Sequence, residues 1–301
     1  MKAYAASKIE NVVFHTLNTA FLVLLAFITL YPFWNTIVVS FNDALDAIRG
    51  GITFWPRRFT LYNYQTLFFT DAIPRAFLVS VARTFINLIT GVFFNAMIAF
   101  ALSRNEFDFR KPYTLILILS MYVNAGLIPT FLLMRNLGFI NSFWVYIVPG
   151  IVNAFNFVVM RTYMRTIPES IVESARMDGY GDFFIFVRII LPLCLPVLAT
   201  IGLFIAVGSW NAWFDTMIYN SGNVNLHTLQ YKLMEYLQAS QASSRTASEA
   251  QGMAMSRTST MVTPLSIRAA ITVIAAAPIL LVYPFMQRYF VVGLNVGGVK
   301  E

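Results

Sequence analysis

Residues 76–102, AFLVSVARTFINLITGVFFNAMIAFAL, form a predominantly apolar run in which Arg83 is the single charged residue. A helix needs about 20 mostly apolar residues to cross the hydrocarbon core of a bilayer, because each residue advances it by about 1.5 Å. The run is long enough, and it therefore predicts a transmembrane helix. It also decides the fold class, because much of the chain repeats this pattern.

Five further apolar runs predict transmembrane helices of the same kind. They cover residues 12–40, 113–134, 143–163, 193–218 and 265–285. Internal prolines do not disqualify these runs, since neighbouring helices can satisfy the freed carbonyl groups. The sequence thus predicts an all-α membrane protein with six transmembrane helices in a single domain, residues 1–301.

The connections between the predicted helices differ in character. Residues 41–75 and 219–264 are long and polar, whereas residues 103–112 and 135–142 are short turns. Basic residues are denser in the segments that would be cytoplasmic if the amino terminus were inside, as the positive-inside rule expects. Charge alone favours this orientation without deciding it.

The composition argues against several other classes. Of the 301 residues, 58% are hydrophobic and 12% are charged, whereas a soluble domain carries about a quarter charged residues. The net charge of +7 comes from basic residues scattered beside apolar runs, not from the basic stripe of a nucleic-acid-binding face. The single cysteine, Cys194, excludes an internal disulfide. The first run lacks the cleavage site of a signal peptide, so we expect it to be retained.

The charged segment Thr166–Leu193, TIPESIVESARMDGYGDFFIFVRIILPL, interrupts the apolar pattern. Thr166 and Glu169 have the spacing of a capping box, which predicts the start of a helix. Gly179 predicts its left-handed end, and Asp182 is expected to cap a second helix. The expected apolar face of the first helix is Ile167, Ile171, Ala175 and Met177, and that of the second is Phe183, Phe186, Val187 and Ile190.

This predicted helix–turn–helix, residues 166–192, has two physical interpretations. Such an element can dock as a compact knob in a groove of a partner protein. It could equally be an amphipathic connection that lies at the membrane interface without any partner. Amphipathicity alone leaves both interpretations open.

The spacing Glu173-x-Ala175, Gly179 and Ile189-x-Leu191-Pro192 resembles the EAA signature of ABC importer permeases. Ser174 departs from the usual alanine, and it is small enough to keep the helix packing. The chain as a whole resembles the smaller permease of the maltose-transporter type, in a carbohydrate-uptake branch similar to Gram-positive permeases for oligosaccharides and polysaccharide fragments. The matching segments are YPFWNTIVVSFND (31–43), FWP with FTLYNY (54–64), AFALSR (99–104), Trp210-Asn211, NLHTLQYKLMEYLQASQ (225–241) and GLNVGGVK (293–300).

The resemblance implies a cytoplasmic EAA coupling loop that seats in a cleft of an ATPase. The residues that it assigns to this contact are Glu173, Ser174, Ala175, Met177, Asp178 and Gly179. It also implies that the carboxy-terminal tail reaches the ATPase pair, through Gly297, Gly298, Val299 and Lys300. With four helices before the loop, both termini would be cytoplasmic in a bacterial inner membrane.

The resemblance further implies the partners. A second homologous permease would complete the pathway as a heterodimer, two ATPase subunits or domains would drive it, and an external solute-binding protein would deliver the sugar. ATP and Mg would bind to the ATPase. This chain has no G-x-x-x-x-G-K-[ST] phosphate loop, so we expect no cofactor, catalytic residue or metal site of its own.

Polar side chains in the predicted helices are candidates for a substrate path, because such groups in lipid tend to face cavities or partner helices. The candidates are Arg83, Asn87, Asn95, Asn124, Asn153, Asn156, Trp210, Asn211, Trp213 and Asp215. In the stretch Ser209–Tyr219, tryptophan and tyrosine rings offer apolar faces to a sugar, and Asn211 and Asp215 can bond hydroxyl groups. Arg83 could pair with a uronate. Each polar residue could equally bond a neighbouring helix, and the tryptophans could form an interfacial belt.

The leading interpretation is the transmembrane subunit of an ATP-driven importer for a carbohydrate, an oligosaccharide in particular. Two alternatives are an ion-driven secondary transporter and an ABC importer for a non-sugar solute. No inverted repeat or cluster of buried carboxylates supports the first alternative. An intramembrane enzyme is disfavoured, because His15 and His227 are the sole histidines and no nucleophile–base pair is visible.

Overall fold

A computed structural model describes residues 2–69, 72–238 and 263–295. Within these ranges the chain is helical, with one isolated backbone bridge between Asn42 and Phe59 and no strand. The helices are α1 (Lys2–Ser40), α2 (Ala44–Ile48), α3 (Tyr62–Phe69), α4 (Ala72–Ser103), α5 (Arg110–Ser120), α6 (Leu127–Asn136), α7 (Ala154–Met164), α8 (Glu169–Met177), α9 (Asp182–Ile185), α10 (Leu191–Leu193), α11 (Leu195–Asn211), α12 (Phe214–Tyr219), α13 (229–238) and α14 (Pro264–Asn295). The shorter elements are the 3-10 turns Phe143–Tyr146, Val148–Gly150 and Val224–Leu226 and the π-helix Phe186–Ile190.

Three described helices are long and apolar enough to cross a membrane, and the number rises to five if each of two bent pairs is one span. The three are Asn11–Ser40, Ala72–Ser103 and Leu265–Val282. They confirm the helices predicted at 12–40, 76–102 and 265–285. The predicted count of six is not confirmed, because the third run does not form a single helix.

The prediction of a continuous helix over residues 113–134 is wrong. α5 ends at Ser120 and α6 begins at Leu127, with non-helical backbone between them. Gly126 adopts a φ of +84°, and its amide donates a 2.9 Å hydrogen bond to the Asn124 side chain. Glycine adopts positive φ without steric cost, and asparagine competes with helical hydrogen bonding, so this pair stabilises a break.

The helix predicted over 143–163 is bent. The 3-10 turns at Phe143–Gly150 meet α7 at 45°. Asn95 of α4 spans the break, since its Nδ2 donates to the Ile151 carbonyl at 2.7 Å and its Oδ1 accepts from the Asn153 amide at 2.9 Å. The Asn95 side-chain amide thus forms hydrogen bonds with backbone groups at the break, which lipid cannot provide.

The helix predicted over 193–218 is also divided. The segment Asp182–Leu193 meets α11 at 85°. α11 ends at Asn211, Ala212 is extended with ψ of 121°, and α12 follows from Phe214. The extended backbone leaves the Ala212 carbonyl free to accept a hydrogen bond outside the helix.

Residue contacts divide the chain into two compact units, residues 1–70 with 235–274 and residues 71–234 with 275–301. The organisation as a single permease domain stays a prediction. In the first unit, Asn63 Nδ2 donates to the carbonyls of Ser40 and Asn42, both at 2.9 Å. Asp46 accepts from Asn42 Nδ2 and Arg57 Nε at 3.0 Å each. These bonds order the polar connection after α1.

In the second unit, α4 packs between α7 and α11. A Cβ added to Gly91 would lie 3.0 Å from Ile205 Cδ1, and one added to Gly202 would lie 3.1 Å from Leu88 Cδ1. These small residues allow α4 and α11 to approach closely, as at many membrane helix interfaces. The core below this contact includes Phe157, Met160, Met164, Ile185, Phe186, Ile190, Cys194 and Ile201.

Candidate functional site

A cavity of about 640 Å³ lies within the second unit, between α4, α6, α7, α11, α12 and the 3-10 turns at Phe143–Gly150. Its lining joins polar and apolar groups contributed by separate parts of the sequence. Of the predicted path residues, the cavity is lined by Arg83, Asn87, Asn153, Asn156 and Asp215. The structure therefore brings together five candidates that are far apart in the chain.

Arg83 and Asp215 form the charged centre of the cavity lining. Arg83 is 4% exposed, and its Nη1 donates to Asp215 Oδ1 and to the Ala212 carbonyl, both at 3.1 Å. Its Nη2 forms an ion pair with Asp215 Oδ2. The guanidinium carbon lies 4.6 Å from the centre of the Tyr146 ring, within the range of a cation–π contact. The guanidinium is thus already neutralised by a side chain of the same cavity.

The asparagines of the lining also make internal hydrogen bonds. Asn87 Nδ2 donates to the Tyr146 carbonyl at 3.0 Å. Asn153 Oδ1 accepts from the Asn156 amide at 3.1 Å and so caps the start of α7. Each of these two side chains therefore supports the bundle as well as lining the cavity.

The other five path candidates lie away from this cavity. One of them, Asn95, spans the break before α7 as described above. Asn124 is exposed in the α5–α6 turn, and Asn211 accepts from Gln230 Nε2 at 3.2 Å. Trp210 is buried and donates from Nε1 to the Ala275 carbonyl at 2.9 Å, while the Trp213 ring packs edge-on against Phe214. The structure gives Trp210 a role in joining α11 to α14.

Sequence reasoning missed several cavity residues, chiefly side chains with hydroxyl groups. The main ones are Thr130, Tyr146 and Ser209, whereas Tyr219, the tyrosine of the stretch proposed for sugar contact, does line the cavity. Tyr146 is held by its hydroxyl, which donates to the Leu226 carbonyl at 2.7 Å and lies 3.0 Å from Thr216 Oγ1. Tyr146, near the start of an apolar run, looks like an interfacial aromatic in the sequence, and only the fold brings its ring against Arg83.

The amphipathic segment forms the predicted helix, glycine turn and second helical stretch, but its caps differ. α8 begins after Pro168, and the Thr166 hydroxyl donates instead to the Tyr163 carbonyl at 2.7 Å, so the predicted capping box is wrong. Asp182 does not cap α9, because its carboxylate accepts from Arg176 at 2.8 Å. Gly179 has a φ of +84°, which confirms the left-handed end of α8.

The buried face of this segment is also narrower than predicted. Val172 and Ala175 anchor α8 in the core, whereas Met177 is 88% exposed and Ile171 is exposed. In the following stretch Ile185, Phe186 and Ile190 are buried, but Phe183 and Val187 are exposed. The residues that the resemblance assigns to ATPase contact are all exposed except Ala175: Glu173, Ser174, Met177, Asp178 and Gly179.

The tail residues assigned to ATPase contact, Gly297, Gly298, Val299 and Lys300, lie outside the described residues.

Helices that are long and apolar enough to cross a bilayer, one of which (α4) lines a polar cavity, indicate a helical membrane protein. The chain belongs to the family of binding-protein-dependent transport system inner membrane components, whose model matches residues 81–295. Its relatives are permease subunits of ABC transporters, and the family implies partnership with an ATPase and a solute-binding protein. The family assignment confirms the resemblance to ABC importer permeases.

Relatives match over almost their whole length. The polygalacturonan/rhamnogalacturonan transport system permease protein YtcP of Bacillus subtilis is 34% identical over 97% of this chain and 99% of its own. The arabinooligosaccharides transport system permease protein AraQ of Halalkalibacterium halodurans is 29% identical over 95% of each chain. A chain of a bacterial ABC transporter that imports the acidic polysaccharide alginate has a similar structure, with a TM-score of 0.81, 27% identity and coverage of 92% of this chain and 96% of that one.

Proposed function

We propose that this chain is a transmembrane subunit of an ATP-driven ABC importer that translocates a carbohydrate, an oligosaccharide in particular. The observation that carries the proposal is the cavity of about 640 Å³, lined by amides, hydroxyls and tyrosines, in a chain whose relatives are named for carbohydrate uptake. Its volume lies within the range of about 300–1,000 Å³ typical of ligand pockets. Sugar hydroxyls both donate and accept hydrogen bonds, and such a lining offers them both kinds of partner.

The charge of the lining favours hydroxyl-rich ligands over carboxylates. Arg83 and Asp215 are the charged residues of this wall, and they neutralise each other. A uronate would have to compete with Asp215 for the guanidinium. A neutral sugar needs no such exchange.

We further propose that α8 and the glycine turn couple this chain to the ATPase. The support is the division of α8 into two faces, because Val172 and Ala175 fix it in the core while Glu173, Met177 and Asp178 stay exposed. The Met177 side chain is 88% exposed, and exposed apolar side chains of this size are typical of protein–protein interfaces. Hydrolysis then takes place in the partner, which binds ATP and Mg.

The remaining assembly follows from the same family. A second homologous permease completes the pathway as a heterodimer, two ATPase subunits or domains lie on the cytoplasmic side, and the binding protein docks outside on the connections at 41–75 and 219–264. Both termini are cytoplasmic in this arrangement, and the tail at 297–300 contacts the ATPase.

Uptake by reconstituted proteoliposomes tests the proposal. The full complex, with its second permease, ATPase and binding protein, is supplied with radiolabelled neutral and uronate-containing oligosaccharides. We expect uptake that requires ATP and the binding protein and that stops when the phosphate-loop lysine of the ATPase is replaced. Uptake driven by an ion gradient without ATP would establish a secondary transporter instead. If the complex took up only a non-sugar solute in an ATP-dependent way, the chain would still be an ABC importer subunit, but its substrate would not be a carbohydrate.

A further inference from the structure

Two contacts bind α8 to the short turn between α4 and α5. At the start of α8, Glu169 Oε2 accepts from Asn105 Nδ2 at 2.8 Å. At its last turn, Arg176 Nη1 forms an ion pair with Glu106. Residues 169 and 176 are seven positions apart, so they lie on one face of the helix, two turns from each other. The α4–α5 turn therefore holds α8 at both ends.

Arg176 joins three elements at once. Besides Glu106 in the α4–α5 turn, it contacts Asp182 at the start of α9, with Nη2 at 2.8 Å and Nε at 3.1 Å from Oδ1. The two carboxylates raise the pKa of Arg176, chiefly through the hydrogen bond to Glu106, so the guanidinium keeps its charge. The planar fork of arginine donors can bridge two carboxylates in fixed geometry, which a lysine ammonium cannot do.

The end of α4 is fixed to the same region by further bonds. Arg104 is buried, stacks over the Phe100 ring at 5.2 Å and donates to the Met164 carbonyl at 3.3 Å. Arg161 Nε donates to the Leu102 carbonyl at 2.9 Å. From this end α4 continues without a break to Arg83, about 30 Å away at 1.5 Å per residue.

We propose that Arg176, with Glu106 and Asp182, is a positioning clamp that makes α8 and α4 move together. A displacement of α8 is then transmitted along α4 to the cavity wall that carries Arg83 and Asn87. The inference rests on the proposed function, in which an ATPase displaces α8 through its exposed face. Exposed ion pairs are individually weak, and here the clamp acts through its geometry, with several bonds converging on one guanidinium.

The test is the number of sugar molecules transported per ATP hydrolysed by the reconstituted complex. Arg176→Gln and Glu106→Gln each remove the pair and leave Glu173, Met177 and Asp178 unchanged for docking. We expect ATP hydrolysis to persist while the transported-to-hydrolysed ratio falls about fivefold, the lower end of common coupling energies. The double variant should be no worse than Arg176→Gln alone, because that change already removes the contact with Glu106. Arg176→Lys should restore part of the ratio.

The matched control is Arg188→Gln. Arg188 is an exposed arginine on the following π-helix and makes no ion pair within the described part of the chain. Its ratio should equal that of the wild type. A wild-type ratio in Glu106→Gln would overturn the clamp, and this variant keeps the test decisive if Arg176→Gln fails to insert, because the Glu106 side chain is 56% exposed. Failure of the proposed function looks different, since the wild-type complex itself would then show no ATP-driven sugar uptake.

Discussion

Arg83 and Asp215 are 132 residues apart in the sequence and meet at the centre of the cavity lining. Their environments are unequal, because the Arg83 side chain is 5% exposed and that of Asp215 is 25% exposed. Water can therefore reach the carboxylate better than the guanidinium. The pair is better understood as a carboxylate that makes a buried cation tolerable than as two equal partners.

This asymmetry predicts unequal effects of neutralising the two residues. Asp215→Asn leaves a buried cation without its counter-charge and should destabilise the protein by about 3 kcal/mol, as when a buried pair is broken. Arg83→Met keeps the apolar stem and leaves the better-solvated carboxylate, so it should cost less. Thermal unfolding in detergent measures both, with Asp178→Asn on the exposed end of α8 as the control. An equal or larger loss of stability in Arg83→Met would show that burial of the Arg83 cation is not the larger cost in this ion pair.

Sequence reasoning could nominate these residues but could not pair them. A charge inside an apolar run is visible in one dimension, and Arg83 and Asp215 stand out for that reason. Their contact depends on the extended backbone at Ala212 and on the ring of Tyr146, which the fold brings from another segment. Tyr146 has no sequence signal that separates it from an interfacial aromatic.

At the scale of elements, long helices were predictable and their interruptions were not. α1, α4 and α14 follow from apolar length alone, because lipid imposes the same demand on every residue of a span. The break near Asn153 depends on Asn95, whose side chain satisfies the exposed backbone from another helix. The predicted caps of α8 and α9 do not form, because the Thr166 hydroxyl donates to the Tyr163 carbonyl and the Asp182 carboxylate accepts from Arg176.

The turn after α8 makes a prediction at the same scale. Gly179 has a φ of +84°, and a Cβ there would meet no atom within 4 Å. Gly179→Ala should therefore disturb the turn through backbone strain alone, by about 1–2 kcal/mol. We expect it to reduce the stimulation of ATP hydrolysis by the loaded binding protein. Gly181→Ala is the matched control, because its φ is −77° and its Cβ would also be unobstructed. If the binding protein stimulated ATP hydrolysis equally in both variants, the left-handed geometry at Gly179 would not be required for coupling.

At the scale of the whole molecule, orientation depends on whether the bent pair Asp182–Leu193 and Leu195–Asn211 crosses the membrane. α8 lies before this pair and Ser221 lies after it, so a single crossing puts them on opposite sides. The positive-inside rule favours α8 in the cytoplasm only weakly, since basic residues occur on both sides. The proposed docking of an ATPase on α8 requires that side.

Site-directed labelling decides this orientation. Cys194 is fully buried and is the sole cysteine, so a Cys194→Ala background provides a chain without reactive thiols. Ser174→Cys and Ser221→Cys are then introduced singly at exposed positions. A membrane-impermeant maleimide should label Ser221→Cys in intact cells, and Ser174→Cys only after permeabilisation, in cells that lack the ATPase and so leave α8 uncovered. Labelling of both from outside would mean that the bent pair re-enters on the same face, and the reversed pattern would place α8 out of reach of any ATPase.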